Sequence, residues 1–306
     1  MLWNPGPDYR AGLTLANASP TELNACATWG SDMSEGNLVG NATDPTRFSS
    51  FPCLPTAVAG SSNAAAPSFY VDTRSNGYGN GWTLADLNSY PGWSVWWESG
   101  GSGTPIQFQF LNFSKAAAEP CKLREVGLSY QRWPYIPDSH LRENFAHLAE
   151  YKEVNASFKS RVSYSSGPPQ CVGFPTADVS ADFHITFLNG GKEVVQHQLL
   201  GVLLYTQPGM TLPPPPNPVF WEGEVAGGPA RLLIGSRLSP AVPTMTPEGP
   251  WVNYTIDYKQ LIEAYVTPPP GYSVSEAVVG GLDVYTSARG SDLNLQLTDV
   301  DLYGVK

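Results

Sequence analysis

Three groups of side chains in this chain have the types and spacing to do chemistry. The first is aromatic: Trp82, then the run Trp93-Ser94-Val95-Trp96-Trp97-Glu98. Side chains alternate along a strand, so Val95 and Trp97 share one face while Trp96 and Glu98 share the other. An indole beside a carboxylate suits a sugar, whose C–H face stacks on the ring while its hydroxyls bond to the carboxylate. Trp221, next to Glu222, offers the same pairing, and Trp133 with Tyr135, bracketed by Pro134 and Pro137, is a further loop candidate. The expected ligand contacts are therefore Trp82, Trp93, Trp96, Trp133 and Trp221. The competing reading makes these rings ordinary core, because Trp dominates burial energetics wherever it occurs.

The second group is acidic. In Val219-Phe220-Trp221-Glu222-Gly223-Glu224-Val225, Glu222 and Glu224 share a strand face, about 7 Å apart along it. Glycoside cleavage needs two carboxyls flanking one bond, roughly 5–5.5 Å apart in retaining enzymes and 6.5–9.5 Å in inverting ones. Glu98 and Glu222, each adjacent to a Trp, form the candidate catalytic pair. Acids on an exposed strand are otherwise plain solvated surface.

The third group lies in a hairpin. Val179, Ala181, Phe183, Ile185 and Phe187 make an apolar face; Asp178, Ser180, Asp182, His184 and Thr186 make the opposite one. A two-residue turn at Asn189-Gly190 sets Asp182 opposite His197 and puts Glu193 on the same face. Asp182, His184 and His197 then become candidate metal ligands or an acid–base group. A loop on Gly190-Gly191 instead sets His184 opposite His197, and the bland alternative is a wet face that does nothing. Asp299-x-Asp301 could add oxygens to Ca²⁺, which takes six to eight, although an Asp at a strand end or bulge explains the pattern equally. No motif requires a cofactor, and Ca²⁺ or another divalent metal is what these donors admit. A serine-nucleophile elbow, a zinc-protease helix, a P-loop and a dinucleotide fingerprint are all absent.

These groups need rigid elements to hold them. Strand-like runs recur at 68–72, 93–97, 106–111, 123–133, 160–164, 179–188, 193–205, 219–225, 231–238, 252–256, 277–285 and 293–302, with Gly, Pro and Asn turns between. Such spacing predicts an all-β, two-sheet antiparallel β-sandwich of jelly-roll or concanavalin-like type. One or two short helices interrupt it. Asp138 or Ser139 caps a first, carrying Leu141, Phe145 and Leu148 on one face, and Asp257 caps a second that stops before Thr267-Pro268. Residues 1–65 read as a loop-rich segment packed on a single sandwich domain spanning 66–306. The order strand, short capped helix, strand, strand in the last third resembles the closing half of concanavalin-like and jelly-roll glycan-active sandwiches.

Only 14% of residues are charged and the formal net charge is −10, so a polyanion such as nucleic acid is disfavoured. No apolar stretch reaches the ~18 residues of a membrane span. Four cysteines, Cys26, Cys53, Cys121 and Cys171, lack metal-type spacing. Of three pairings, Cys26–Cys53 with Cys121–Cys171 is favoured, because each closes a moderate loop in its own part of the chain. Glycosylation triplets begin at Asn17, Asn41, Asn112, Asn155 and Asn253. Together these features predict a secreted, glycosylated protein. The first expectation is a sandwich that binds polysaccharide through an aromatic strip. The second is a glycoside hydrolase, or less favourably a polysaccharide lyase, on the same scaffold. The third is a self-associating structural subunit of an extracellular filament, coat or matrix.

Overall fold

The computed structural model describes residues 68–75, 93–99, 106–113, 121, 124–131, 147–166, 171, 177–191, 193–225 and 228–305. The strands are β1 (Ser68–Ser75), β2 (Trp93–Ser99), β3 (Ile106–Phe113), β4 (Arg124–Gln131), β5 (Glu153–Ser165) and β6 (Ala177–Leu188). They continue as β7 (Val194–Thr206), β8 (Val219–Val225), β9 (Gly228–Ile234), β10 (Val252–Asp257), β11 (Val278–Ala288) and β12 (Asp292–Val305). One sheet has seven strands in the order β1-β4-β11-β6-β7-β9-β8, the other five in the order β10-β5-β12-β3-β2. The expected two-sheet β-sandwich is the fold. Pairing is antiparallel except between β7 and β9, which run parallel.

Alternation explains which faces meet. Val179, Ala181, Phe183, Ile185 and Phe187 of β6 join Leu282 and Val284 of β11 and Leu200 and Val202 of β7 in one core. Across from them lie Phe110, Val154, Ala156, Phe158, Leu293, Leu295 and Leu297 from the five-stranded sheet. Strand β3 faces β4 and β11, and β12 faces β11 and β6. Strands β2 and β8 therefore stand at opposite edges of the sandwich.

The helix α1 (Tyr258–Tyr265) closes one end, its buried side made by Tyr258, Leu261 and Ile262. Asp257 caps it as expected: one carboxylate oxygen accepts from Lys259 N at 3.0 Å and also from Val154 N of β5 at 3.3 Å. Asp257→Ala should cost about 1–2 kcal/mol, because it orphans helix donors and a strand donor together. Urea unfolding of Asp257→Ala beside Asp257→Ser checks this, with serine expected to recover much of the loss. Tyr258 stacks on Phe183 at 4.6 Å and donates its hydroxyl to Ala181 O at 2.6 Å, fixing β6 from below.

Cys121–Cys171 is a disulfide, and Cys26–Cys53 falls outside the described residues, as does the 1–65 segment. The helix expected from Asp138 or Ser139 is described only at its end, where Leu148–Glu150 forms a 3₁₀ turn. Strand β5 begins well before the expected run, because Asn155, Ala156 and Ser157 dilute its apolar alternation. Among the described residues no helix is long and apolar enough to cross a membrane.

Candidate carbohydrate face on the seven-stranded sheet

The polar side of β6 is turned away from the sandwich interior, yet it is buried. Pairing sets Ser129 of β4, Asp283 of β11, Asp182 of β6, Gly201 of β7, Leu232 of β9 and Trp221 of β8 at one level across the sheet. This row joins an acidic centre to an aromatic edge. Three strand spacings separate Trp221 from Asp182, roughly 14 Å. Trp221 is 45% exposed. Its indole occupies the space a side chain at Gly223 would fill, since an added Cβ there would lie 2.2 Å from Cζ2. Leu199, Val225 and Ala230 form a small apolar floor between the two ends.

Asp182 and Asp283 stand directly opposite each other, and each is 2% exposed. Asp182 Oδ2 accepts from the Tyr285 hydroxyl at 2.7 Å. Its Oδ1 is buried without a hydrogen-bond partner and takes the place of a side chain at Gly201, where an added Cβ would be 2.2 Å away. Burial pushes the Asp182 carboxyl up to about 6, with the Tyr285 hydrogen bond opposing and Asp283 adding to the rise. Four residues along the same face, burial also holds Asp178 well above the usual carboxylate range, reinforced by Glu125 and Asp182. Ser287 Oγ donates to Glu125 Oε1 at 3.1 Å beside it.

The histidines complete the centre. His184 Nε2 lies 2.8 Å from Asp283 Oδ2, and His184 Nδ1 lies 3.0 Å from His197 Nε2, with the two rings stacked at 5.0 Å. His197 Nδ1 is 3.5 Å from Thr186 Oγ1.

The expected register is corrected. Thr186, not Asp182, faces His197, and His184 faces Leu199, because the loop is wider than two residues. The Asn189 side chain builds that loop, accepting from Gly191 N and Glu193 N at 2.9 Å each. The slip is by four residues, an even number, so Asp182, His184 and His197 still share a face. Glu193 is instead exposed and bound to the turn through Asn189. As for the expected metal ligands Asp182, His184 and His197, both nitrogens of His184 are engaged by His197 and Asp283. Among the described residues, no three His, Cys, Asp or Glu side chains are arranged to hold a metal ion. Asp299 sits in a bulge of β12 at φ 56° and pairs with Lys159 at 2.8 Å, which places an ammonium where the calcium reading needed an ion.

Glu98 and Glu222 are not brought together. Glu98 lies in β2 and Glu222 in β8, on different sheets and opposite edges. Glu222 is exposed, ion-paired to Arg231, and set on the other face of β8 from Trp221. Of the expected aromatic contacts, Trp82 and Trp133 fall outside the described residues. Trp93 and Trp96 pair with Asn112 and Gln109 at the edge of the five-stranded sheet. The strip is thus divided between two edges, with Trp221 alone, among the described tryptophans, on the row that crosses the acidic centre.

Two of the glycosylation triplets begin at buried asparagines. Asn112 is 1% exposed and donates to Thr286 Oγ1 between the sheets, and Asn155 is 4% exposed and donates to Glu153. Asn253, on edge strand β10, is exposed. Asn17 and Asn41 lie outside the described residues.

Asp283 and Tyr285 were not singled out as site residues by sequence reasoning. Their signal is the alternation of Asp283 and Tyr285 against Leu282 and Val284, which Gly280-Gly281 and the bulge between Val279 and Gly281 obscure.

No protein-family model matches the chain, and no curated protein matches it. Solved structures similar to it at low identity are as follows. One is a native family 12 xyloglucanase from Bacillus licheniformis, at 11% identity and TM-score 0.43, covering 76% of this chain and 99% of that one. Another is the endoglucanase 3 from family GH12 of Trichoderma harzianum, at 12% identity and TM-score 0.40, covering 77% and 97%. A third is the xyloglucanase domain of NopAA, a type three effector from Sinorhizobium fredii, in complex with cellobiose, at 14% identity and TM-score 0.39, covering 78% and 92%.

Proposed function

We propose that the outer face of the seven-stranded sheet binds a carbohydrate chain laid across the strands, from Trp221 to the Asp182/Asp283 pair. The observation that carries this is one row holding both an exposed indole and a buried carboxylate oxygen with no partner. Trp221 offers an apolar platform for a pyranose face, and Asp182 Oδ1 an unused acceptor for a sugar hydroxyl. The secreted and glycosylated character expected from the sequence agrees with such a ligand. Trp221→Ala should weaken binding to a panel of oligosaccharides, cellobiose among them, by roughly tenfold or more, about 1.5 kcal/mol. Isothermal titration of Trp221→Ala beside Trp96→Ala checks it. If the loss follows Trp96 instead, the binding face belongs to the other sheet.

Asp182 favours a second reading, hydrolysis. Directly opposed residues hold their Cβ atoms about 5 Å apart, near the roughly 5–5.5 Å of carboxyls in retaining glycosidases. Two carboxyls in unlike surroundings separate into acid and base roles. Asp182, raised by burial, would protonate the leaving oxygen, while Asp283, facing an imidazole N–H, would meet the anomeric carbon as carboxylate. A reducing-end assay on the same oligosaccharides separates the two readings: binding without release of ends leaves a lectin-like module.

A further inference from the structure

We propose that Thr186, His197 and His184 form a directed hydrogen-bond relay ending on Asp283, which makes both imidazoles positioning residues for that carboxylate. Its direction follows from what each atom can do. With Asp283 as a carboxylate, the state the relay requires, its oxygen only accepts and His184 Nε2 donates across the 2.8 Å contact. A neutral His184 then has a bare Nδ1, so His197 Nε2 donates across 3.0 Å. His197 Nδ1 is bare in turn, and the Thr186 hydroxyl is left as donor over the longer 3.5 Å contact. Both rings are therefore neutral Nε2–H tautomers, assigned by the network.

Among the described residues, the ionisable groups around the pair are Asp182 on β6 and Asp283 and Tyr285 on β11, with Tyr258 of α1 beneath the sheet. Strand β4 adds Ser129 and Gln131 by register, and β9 adds Gly228 and Ala230. Use of the relay by a sugar-processing site rests on the reading above; its existence does not.

The test is long-range ¹H–¹⁵N NMR of the full chain with labelled histidine. The chain has four histidines. Replacing His140 and His147, neither of them part of the relay, leaves two imidazoles to observe. Nε2–H tautomers on both rings support the relay. An Nδ1–H tautomer on His184 overturns it. His197→Phe should abolish the single-tautomer signature of His184, and His197→Gln, which restores an N–H donor, should recover it. No change at His184 in His197→Phe likewise overturns the proposal. Should His197→Phe fail to fold, the parent's tautomers still decide. Oligosaccharide binding by Trp221→Ala is read separately, so the relay can stand while the carbohydrate reading falls, or the reverse.

Discussion

Asp182→Asn is expected to melt higher than the parent at pH 7 while losing the function of the face. The sign follows from the raised carboxyl. The folded chain holds the Asp182 proton up to about 6, whereas an unfolded one releases it near 3.8. Between those values the folded state binds more protons, so this group's contribution to stability falls as pH rises from 3.8 to 6 and stays low above. The interval corresponds to about 3 kcal/mol at pH 7. Asparagine can still accept from Tyr285 but carries no charge to desolvate. For a chain of this size the gain should appear as roughly 5–10 °C in Tm at pH 7, shrinking toward zero as pH approaches 4. Turnover, if present, should drop by about 100-fold or more, as for loss of a general acid. A variant that melts lower than the parent at pH 7 would show the charge to be net stabilising and sink the argument. Keeping an acid where an amide is more stable is the exchange expected of a working site.

The other large effect is structural. Gly228 opens β9 where it runs parallel to β7, and a Cβ there would sit 1.7 Å from His197 O. That oxygen is backbone in a central strand and cannot swing aside as a side chain could. Gly228→Ala should therefore cost about 3–5 kcal/mol, at or above the upper range for overpacking, by prising β9 and with it β8 off the sheet. Because β8 carries Trp221, carbohydrate binding should fall with stability. Gly190→Ala is the control: nothing lies within 4 Å of a Cβ at the hairpin tip, so its midpoint should stay within about 0.5 kcal/mol of the parent. Chemical denaturation monitored by tryptophan fluorescence distinguishes the two. Equal midpoints would mean that the β7–β9 contact gives way cheaply.

Much of this was legible one strand at a time. The alternation of β6 announced its apolar face, and Asp257 before Tyr258 announced a capped helix, because both signals are local. What escaped was non-local. Glu98 and Glu222 look alike in sequence, each beside a Trp, but strand order puts them at opposite edges, and order is set by pairing across the whole chain. The hairpin register failed for a nearer reason: the Asn189 side chain, acting as acceptor, widened a turn that its dipeptide suggested was tight. Even so, the polar face survived the error, since its membership depends only on parity. Its burial was the real surprise, for a strand that alternates polar and apolar normally leaves its polar side wet.

The buried triplets at Asn112 and Asn155 have a consequence for biogenesis. In a growing chain both asparagines are accessible; in the finished sandwich one bridges the two sheets and the other is buried on β5, bonded to Glu153. Made in a glycosylating compartment, each molecule therefore runs a race between oligosaccharide transfer and strand pairing. A sugar tree on Asn112 could not be accommodated between β3 and β11, so molecules that lose the race are barred from the native state and become substrates for quality control. Speed of folding, rather than stability once folded, would set the yield of such a protein.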